Sequence, residues 1–124
     1  MDPIAPDLSK RARGRWGEDR ACTHYRRLGY SIVERNWRCE QGEIDVVARL
    51  GDTVVFCEVK TRRSGDPWEN LGEAKRPQVR SMGAIWLAEV HDRPRTSELR
   101  FDAIGIRIDH HGALVSLEHL QGAF

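Results

Sequence analysis

The chain has 124 residues, of which 40% are hydrophobic and 31% charged, and its formal net charge at neutral pH is +1. Such a chain suits one compact domain with a modest core, and its balance excludes both a disordered segment and a strongly basic protein whose overall field would draw nucleic acid. No apolar run approaches the roughly 18 residues that a membrane helix needs, and the first residues do not read as a signal peptide, so a cytoplasmic protein without membrane partners is the expectation.

Residues 1–13 contain two prolines and little apolar pattern, which predicts a flexible tail ahead of a single domain over residues 14–124. A helix is predicted over residues 14–28, where Glu18, Ala21, Cys22, Tyr25 and Leu28 recur at three- and four-residue steps along one stripe. Glu18 is an acid on that stripe, and it needs a partner there. It is either a first-turn glutamate favoured by the helix dipole or a member of an acidic site. Gly29 suits the position just past the helix end, and residues 30–37 read as a strand. Residues 38–42 then read as a loop, in which Gly42 permits a bulge, a close backbone approach or a turn.

The most informative stretch follows. Two runs rich in β-branched residues flank Gly51-Asp52, a dipeptide suited to a two-residue hairpin turn. In that register facing residues have numbers that sum to a constant, which sets Asp45 opposite Glu58 and Glu43 opposite Lys60, all four on one face. Like charges directly opposed on paired strands destabilise a sheet. The two carboxylates therefore call for a shared proton, the Lys60 ammonium or a hard divalent cation.

Residues 61–72 form a polar loop carrying Arg62, Arg63 and Trp68, with Trp68 expected to pack the loop onto the body rather than to stack on a base. A second helix is predicted over residues 75–90, with Val79, Met82, Gly83, Trp86, Leu87 and Val90 as its core stripe and Pro77 tolerated in its first turn. Residues 91–95 connect to a strand over 99–108, and a turn at 109–112 leads to a short strand near 113–117. His110 and His111 read as a surface pair in that turn. Cys22, Cys39 and Cys57 are far apart and read as reduced thiols, Cys57 in the core. The predicted order is helix, three strands, helix, one or two strands: an α/β fold with a mixed sheet flanked by helices.

Positive charge gathers at Lys10, Arg11, Arg13 and Arg15, at Arg62 and Arg63, and at Lys75, Arg76 and Arg80. Any one cluster reads as a solvated face. Three of them flanking the carboxylates in sequence suit a polyanionic substrate.

Glu18 on an opening helix, then Gly42-Glu43-Ile44-Asp45 and Glu58-Val59-Lys60, resembles the PD-(D/E)xK nuclease signature, with Ile44 at the position named for proline. Together with Arg35-Asn36-Trp37-Arg38, Lys75, Trp86-Leu87 and Arg100-Phe101-Asp102, the chain from about Gly14 onward is similar to the YraN family of small bacterial proteins. These are described as predicted endonucleases of restriction-endonuclease-like fold, akin to archaeal Holliday junction resolvases. The resemblance implies that Asp45, Glu58 and the Val59 carbonyl bind Mg²⁺ or Mn²⁺, and that Glu18 holds a second metal or its water shell. It implies further that Lys60 orients or helps deprotonate the attacking water. Arg15, Arg62, Arg63 and Lys75 are the candidates for nucleic-acid contact.

The expected function is thus metal-dependent hydrolysis of DNA phosphodiesters, on branched or otherwise structured DNA, with DNA as partner and a homodimer as one assembly. No residue pattern selects bases, so backbone charge and shape would guide binding. Two alternatives stand beside it: a non-catalytic nucleic-acid-binding module of recombination or repair, and a structural protein in which Lys60 and Arg49 neutralise the acids.

Overall fold

Two helices and five strands follow one another in a computed structural model that describes residues 10–63, 65–66, 68, 76–90, 94–96 and 98–124. They are α1 (Lys10–Arg27), β1 (Ser31–Cys39), β2 (Gly42–Leu50), β3 (Thr53–Arg62), α2 (Arg76–Glu89), β4 (Glu98–Ile108) and β5 (Leu114–Leu120). The strands lie in sequence order in a single sheet. All neighbours are antiparallel except β3 and β4, which α2 joins as a parallel crossover. The arrangement agrees with the mixed, helix-flanked sheet of a restriction-endonuclease-like fold.

Each face of the sheet carries one helix. Ala21, Cys22 and Tyr25 of α1 pack on Val46, Ala48, Val55, Ile104 and Ile106. On the opposite face Val79, Met82 and Trp86 of α2 meet Val47, Val54, Phe56 and Phe101. There Phe56 stacks on Phe101 with centroids 5.3 Å apart and meets Trp86 edge-on at 5.5 Å. The Trp86 indole N–H, buried with its ring, donates to Glu34 at 2.9 Å, so the polar edge of the tryptophan is satisfied as its rings fill the core.

The termini of these elements depart from the expected ones in instructive ways. α1 starts at Lys10, ahead of the expected residue 14, because Lys10, Arg11, Ala12 and Arg13 are good helix formers that carry no apolar pattern. Leu28 is not on the buried stripe. It lies past the helix end and is 48% exposed. Gly29, with φ 95°, ends α1 as expected: its N–H donates to the Arg26 carbonyl and that of Tyr30 to the Tyr25 carbonyl, the paired bonds of a Schellman cap. The expected loop 38–42 shrinks to the two residues Glu40 and Gln41, with Cys39 and Gly42 already paired. The last strand runs on to Leu120. Residues 1–9 of the expected tail, Lys75, most of the loop after β3 and residues 91–93 of the connector lie outside the described residues.

Asp102 of β4 is fully buried, yet four groups reach it. The Tyr25 hydroxyl donates at 2.8 Å, His119 Nε2 at 2.7 Å, the Gly122 N–H at 3.0 Å, and Arg100 through two nitrogens at 2.8 and 2.9 Å. Burial opposes ionisation, and the bonds from His119, Arg100, Gly122 and Tyr25 overcome it, holding this carboxyl well below the usual range. The cluster ties α1 to β4, β5 and the chain after it. Asp102→Ala would leave these donors without their acceptor, and we expect it to cost about 3–5 kcal/mol. A lower urea midpoint at unchanged slope would record that loss, whereas a cost under about 1 kcal/mol would show that the cluster does not brace the fold.

Candidate functional site

The register expected for the central hairpin holds from Leu50↔Thr53 to Val46↔Cys57 and then stops. β2 continues beside β1 as far as Gly42, and β3 beside β4 as far as Arg62. The sheet therefore forks between β2 and β3 at the level where Asp45 and Glu58 would pair. Asp45↔Glu58 and Glu43↔Lys60 are not ladder pairs, since opposed carboxylates would spend the gain of pairing on their own repulsion. Asp45 Oδ2 instead accepts the Val59 N–H at 2.8 Å, satisfying a backbone group the fork leaves without a strand partner on that side.

Inside the fork is a cavity of about 290 Å³ whose polar wall is Glu43, Asp45, Glu58 and Lys60 and whose apolar wall is Phe56, Val79 and Met82. α2 is held against its mouth by Gln78, which donates to the Gln41 carbonyl of the β1–β2 turn at 2.6 Å. Lys60 Nζ lies 3.1 Å from Glu58, so these two share a face as their alternation required.

Glu18 comes in from the opposite side of the sheet. It stands more than two turns inside α1, beyond the first turn where the helix dipole acts, which removes the dipole reading of this buried acid. Its approach depends on Gly17. A Cβ built there would lie 1.9 Å from Thr61 Oγ1, so only glycine lets α1 descend this far onto β3. Carboxylate oxygens of Glu18, Glu43 and Asp45 then lie within 4.8 Å of one another. Glu18 Oε1 is buried and has no hydrogen-bond partner among the described residues.

Of the residues singled out by the motif, Asp45, Glu58, Val59 and Lys60 line the cavity and Glu18 joins Asp45 from behind. Glu58 is outside the tight triad, and Glu43 is in it. Sequence reasoning had put Glu43 on the acidic face without giving it a role, although its two-residue spacing from Asp45 was the available signal. Asn36 entered only within the family stretch Arg35-Asn36-Trp37-Arg38 and was given no role at the site. It reads as an ordinary strand residue, but its φ is 53° and it falls between the pairs Arg35↔Val46 and Trp37↔Ile44, at the level of Asp45. Asparagine is among the few side chains that tolerate this left-handed region. Arg62 and Arg63 border the cavity's lysine from a neighbouring hollow, while Arg15 is exposed on α1 and lines neither. Trp68 packs on the α2 face of the core and donates to Glu118 at 3.1 Å, as expected of a residue that ties its loop down.

Among the described residues the carboxylates that gather at the site outnumber its cations. Burial raises the Glu18 carboxyl, with the Asn36 side chain working against the shift and Glu43 with it. Burial also pushes Asp45 up to about 7, aided by Glu18, Glu43 and Glu58 and resisted by the Val59 N–H. A carboxyl that ionises near 4 unfolded and near 7 folded binds more protons in the native state between those values. Its contribution to stability is complete below about pH 4, is lost as pH rises toward about 7, and changes no further above that. Asp45→Asn should abolish this slope, so that its Tm in chelator exceeds that of the wild type at about pH 8 and not at about pH 4. A pH profile of Tm identical in the two proteins would remove Asp45 as its source.

A family model described as "Uncharacterised protein family UPF0102" matches residues 17–106, which include every residue of the acidic cavity and its α1 contribution. A UPF0102 protein of Streptomyces griseus is 45% identical over 114 residues, 90% of this chain and 94% of the relative. One from Parafrankia sp. is 46% identical over 115 residues, again 90% and 94% of the two chains, and one from Chloroflexus aurantiacus is 40% identical over 114 residues, 92% and 93%. The family match runs from Gly17 on α1 into β4. The chain belongs to UPF0102, the YraN family to which its motifs point.

Proposed function

We propose that the protein is a metal-dependent nuclease that hydrolyses phosphodiester bonds in DNA, with branched or otherwise structured DNA as the substrate class. The observation that carries this reading is the triad of Glu18, Glu43 and Asp45, two of which line a fork that also holds Glu58 and Lys60. An all-oxygen donor set of this kind fits Mg²⁺ or Mn²⁺. A buried Glu18 oxygen with no hydrogen-bond partner among the described residues and a raised Asp45 carboxyl fit a site that takes up a cation.

Asp45, Glu58 and the Val59 carbonyl would hold one cation, with Glu43 beside them and Glu18 holding a second or its water shell. A divalent cation supplies charge to offset the phosphate and lowers the pKa of bound water. Asp45 would have to give up its proton to hold a cation, so occupancy should rise with pH until about 7. Lys60, fixed by Glu58, orients the attacking water and offsets charge that builds on the phosphate oxygens. The Val59 N–H keeps the Asp45 carboxylate aimed into the fork. Arg62, Arg63, Arg15 and Lys75 contribute contacts to the nucleic-acid backbone, and a homodimer would bring two such sites to the two strands of a duplex.

The test is incubation of the purified chain with branched, single-stranded and duplex DNA in Mg²⁺ or Mn²⁺. We expect cleavage that falls roughly 10²–10⁴-fold in Lys60→Ala and at least as far in Asp45→Ala. Cleavage that persists in Asp45→Ala would mean that the assigned site is wrong. Salt-dependent DNA binding with no cleavage of any substrate would instead favour a non-catalytic binding module.

A further inference from the structure

Lys60 and Val59 belong to two hollows. Beside the carboxylate cavity a second one, of about 280 Å³, is walled by Arg13 and Gly14 of α1 and by the run from Val59 to Arg63 at the end of β3. Its chemistry is the reverse of its neighbour's. Three arginines from two elements line it, and among the described residues no carboxylate forms an ion pair with any of them.

What the arginines do contact is main chain. Arg62 donates to the Thr61 carbonyl at 3.2 Å, and Arg63 donates to the carbonyl of His110. Such bonds fix the orientation of a guanidinium without compensating its charge. The first turn of α1 carries no acidic residue, so the positive end of the helix adds to the same field. Like charges gathered around a concave space, with no carboxylate paired to them among the described residues, call for an anion that accepts from several sides.

We propose that this second hollow is a phosphate site, and that it seats a backbone phosphate of the nucleic-acid strand adjacent to the one lying over the carboxylates, with Lys60 between them. Arginine suits the role because its planar fork can offer a phosphate two parallel N–H donors. Arg13 and Arg62 supply those donors, and Arg63 is held by the His110 carbonyl as the third wall. The choice of a strand phosphate over a free one rests on the nuclease reading. The affinity for phosphate does not.

Two measurements on the full chain, both in chelator without divalent cation, test this. In the first, inorganic phosphate should raise the Tm of the wild type and of Asp45→Ala, and fail to raise that of the double variant Arg13→Ala, Arg62→Ala. In the second, fluorescence anisotropy of a short labelled single-stranded oligonucleotide is followed against salt. The slope of log affinity on log salt should fall by about 0.7 for each arginine removed. Arg13→Ala alone, outside both core clusters, serves if the pair does not fold, with half the change in slope. A phosphate-dependent rise in Tm that survives in the variant, or that is missing in the wild type, overturns the site. A rise that is lost in the variant while the oligonucleotide slope stays constant overturns the strand assignment in favour of free phosphate. Neither readout involves cleavage, so an inactive protein would sink the nuclease proposal and leave the phosphate site standing.

Discussion

The hydrogen bond from the Val59 N–H to Asp45 is the interaction on which the rest of the site depends. It occurs where a ladder would otherwise bring two carboxylates face to face, and it lets β2 and β3 part without leaving the freed backbone group unsatisfied. Each strand keeps its outer neighbour past that point, so the sheet stays intact while a cavity opens in its middle. A rigid scaffold thus holds polar groups that no continuous sheet could accommodate.

Two aspartates of this small domain, Asp102 and Asp45, shift in opposite directions. Asp102 is surrounded by donors on every side and is held ionised. Asp45 has one backbone donor and three carboxylates for neighbours and is pushed toward neutrality. The first is a brace between α1 and the last strands. The second lines a cavity and is under-compensated, which fits the cation-binding role proposed for it.

Much of this was legible in the residues. Element order, the two-residue turn at Gly51-Asp52, the Schellman end at Gly29 and the core stripe of α2 all follow from local rules of period, turn chemistry and capping, and each is found. Glu18 stood out because an acid on an apolar stripe violates a local rule. Asn36 and Glu43 did not stand out, because neither breaks any rule within its own segment. The importance of Glu43 lies in which atoms approach it from α1, and that of Asn36 in a backbone angle imposed at the level of Asp45. The early start of α1 was hidden for a related reason: its first residues form helix by propensity and bury no stripe that a period could reveal.

By itself the sequence determined the order of the elements, the pairing of the central hairpin and most of the faces that turn inward, since side-chain alternation and helical period are properties of neighbouring residues. It determined also that Asp45, Glu58 and Lys60 would belong to one neighbourhood. Only the tertiary structure decided that the hairpin would fork at its acids, that Gly17 would let Glu18 descend to meet Asp45, and that Arg13 would line one hollow with Arg62 and Arg63. Those outcomes depend on charges and contacts summed across elements distant along the chain, a balance that no window of sequence contains.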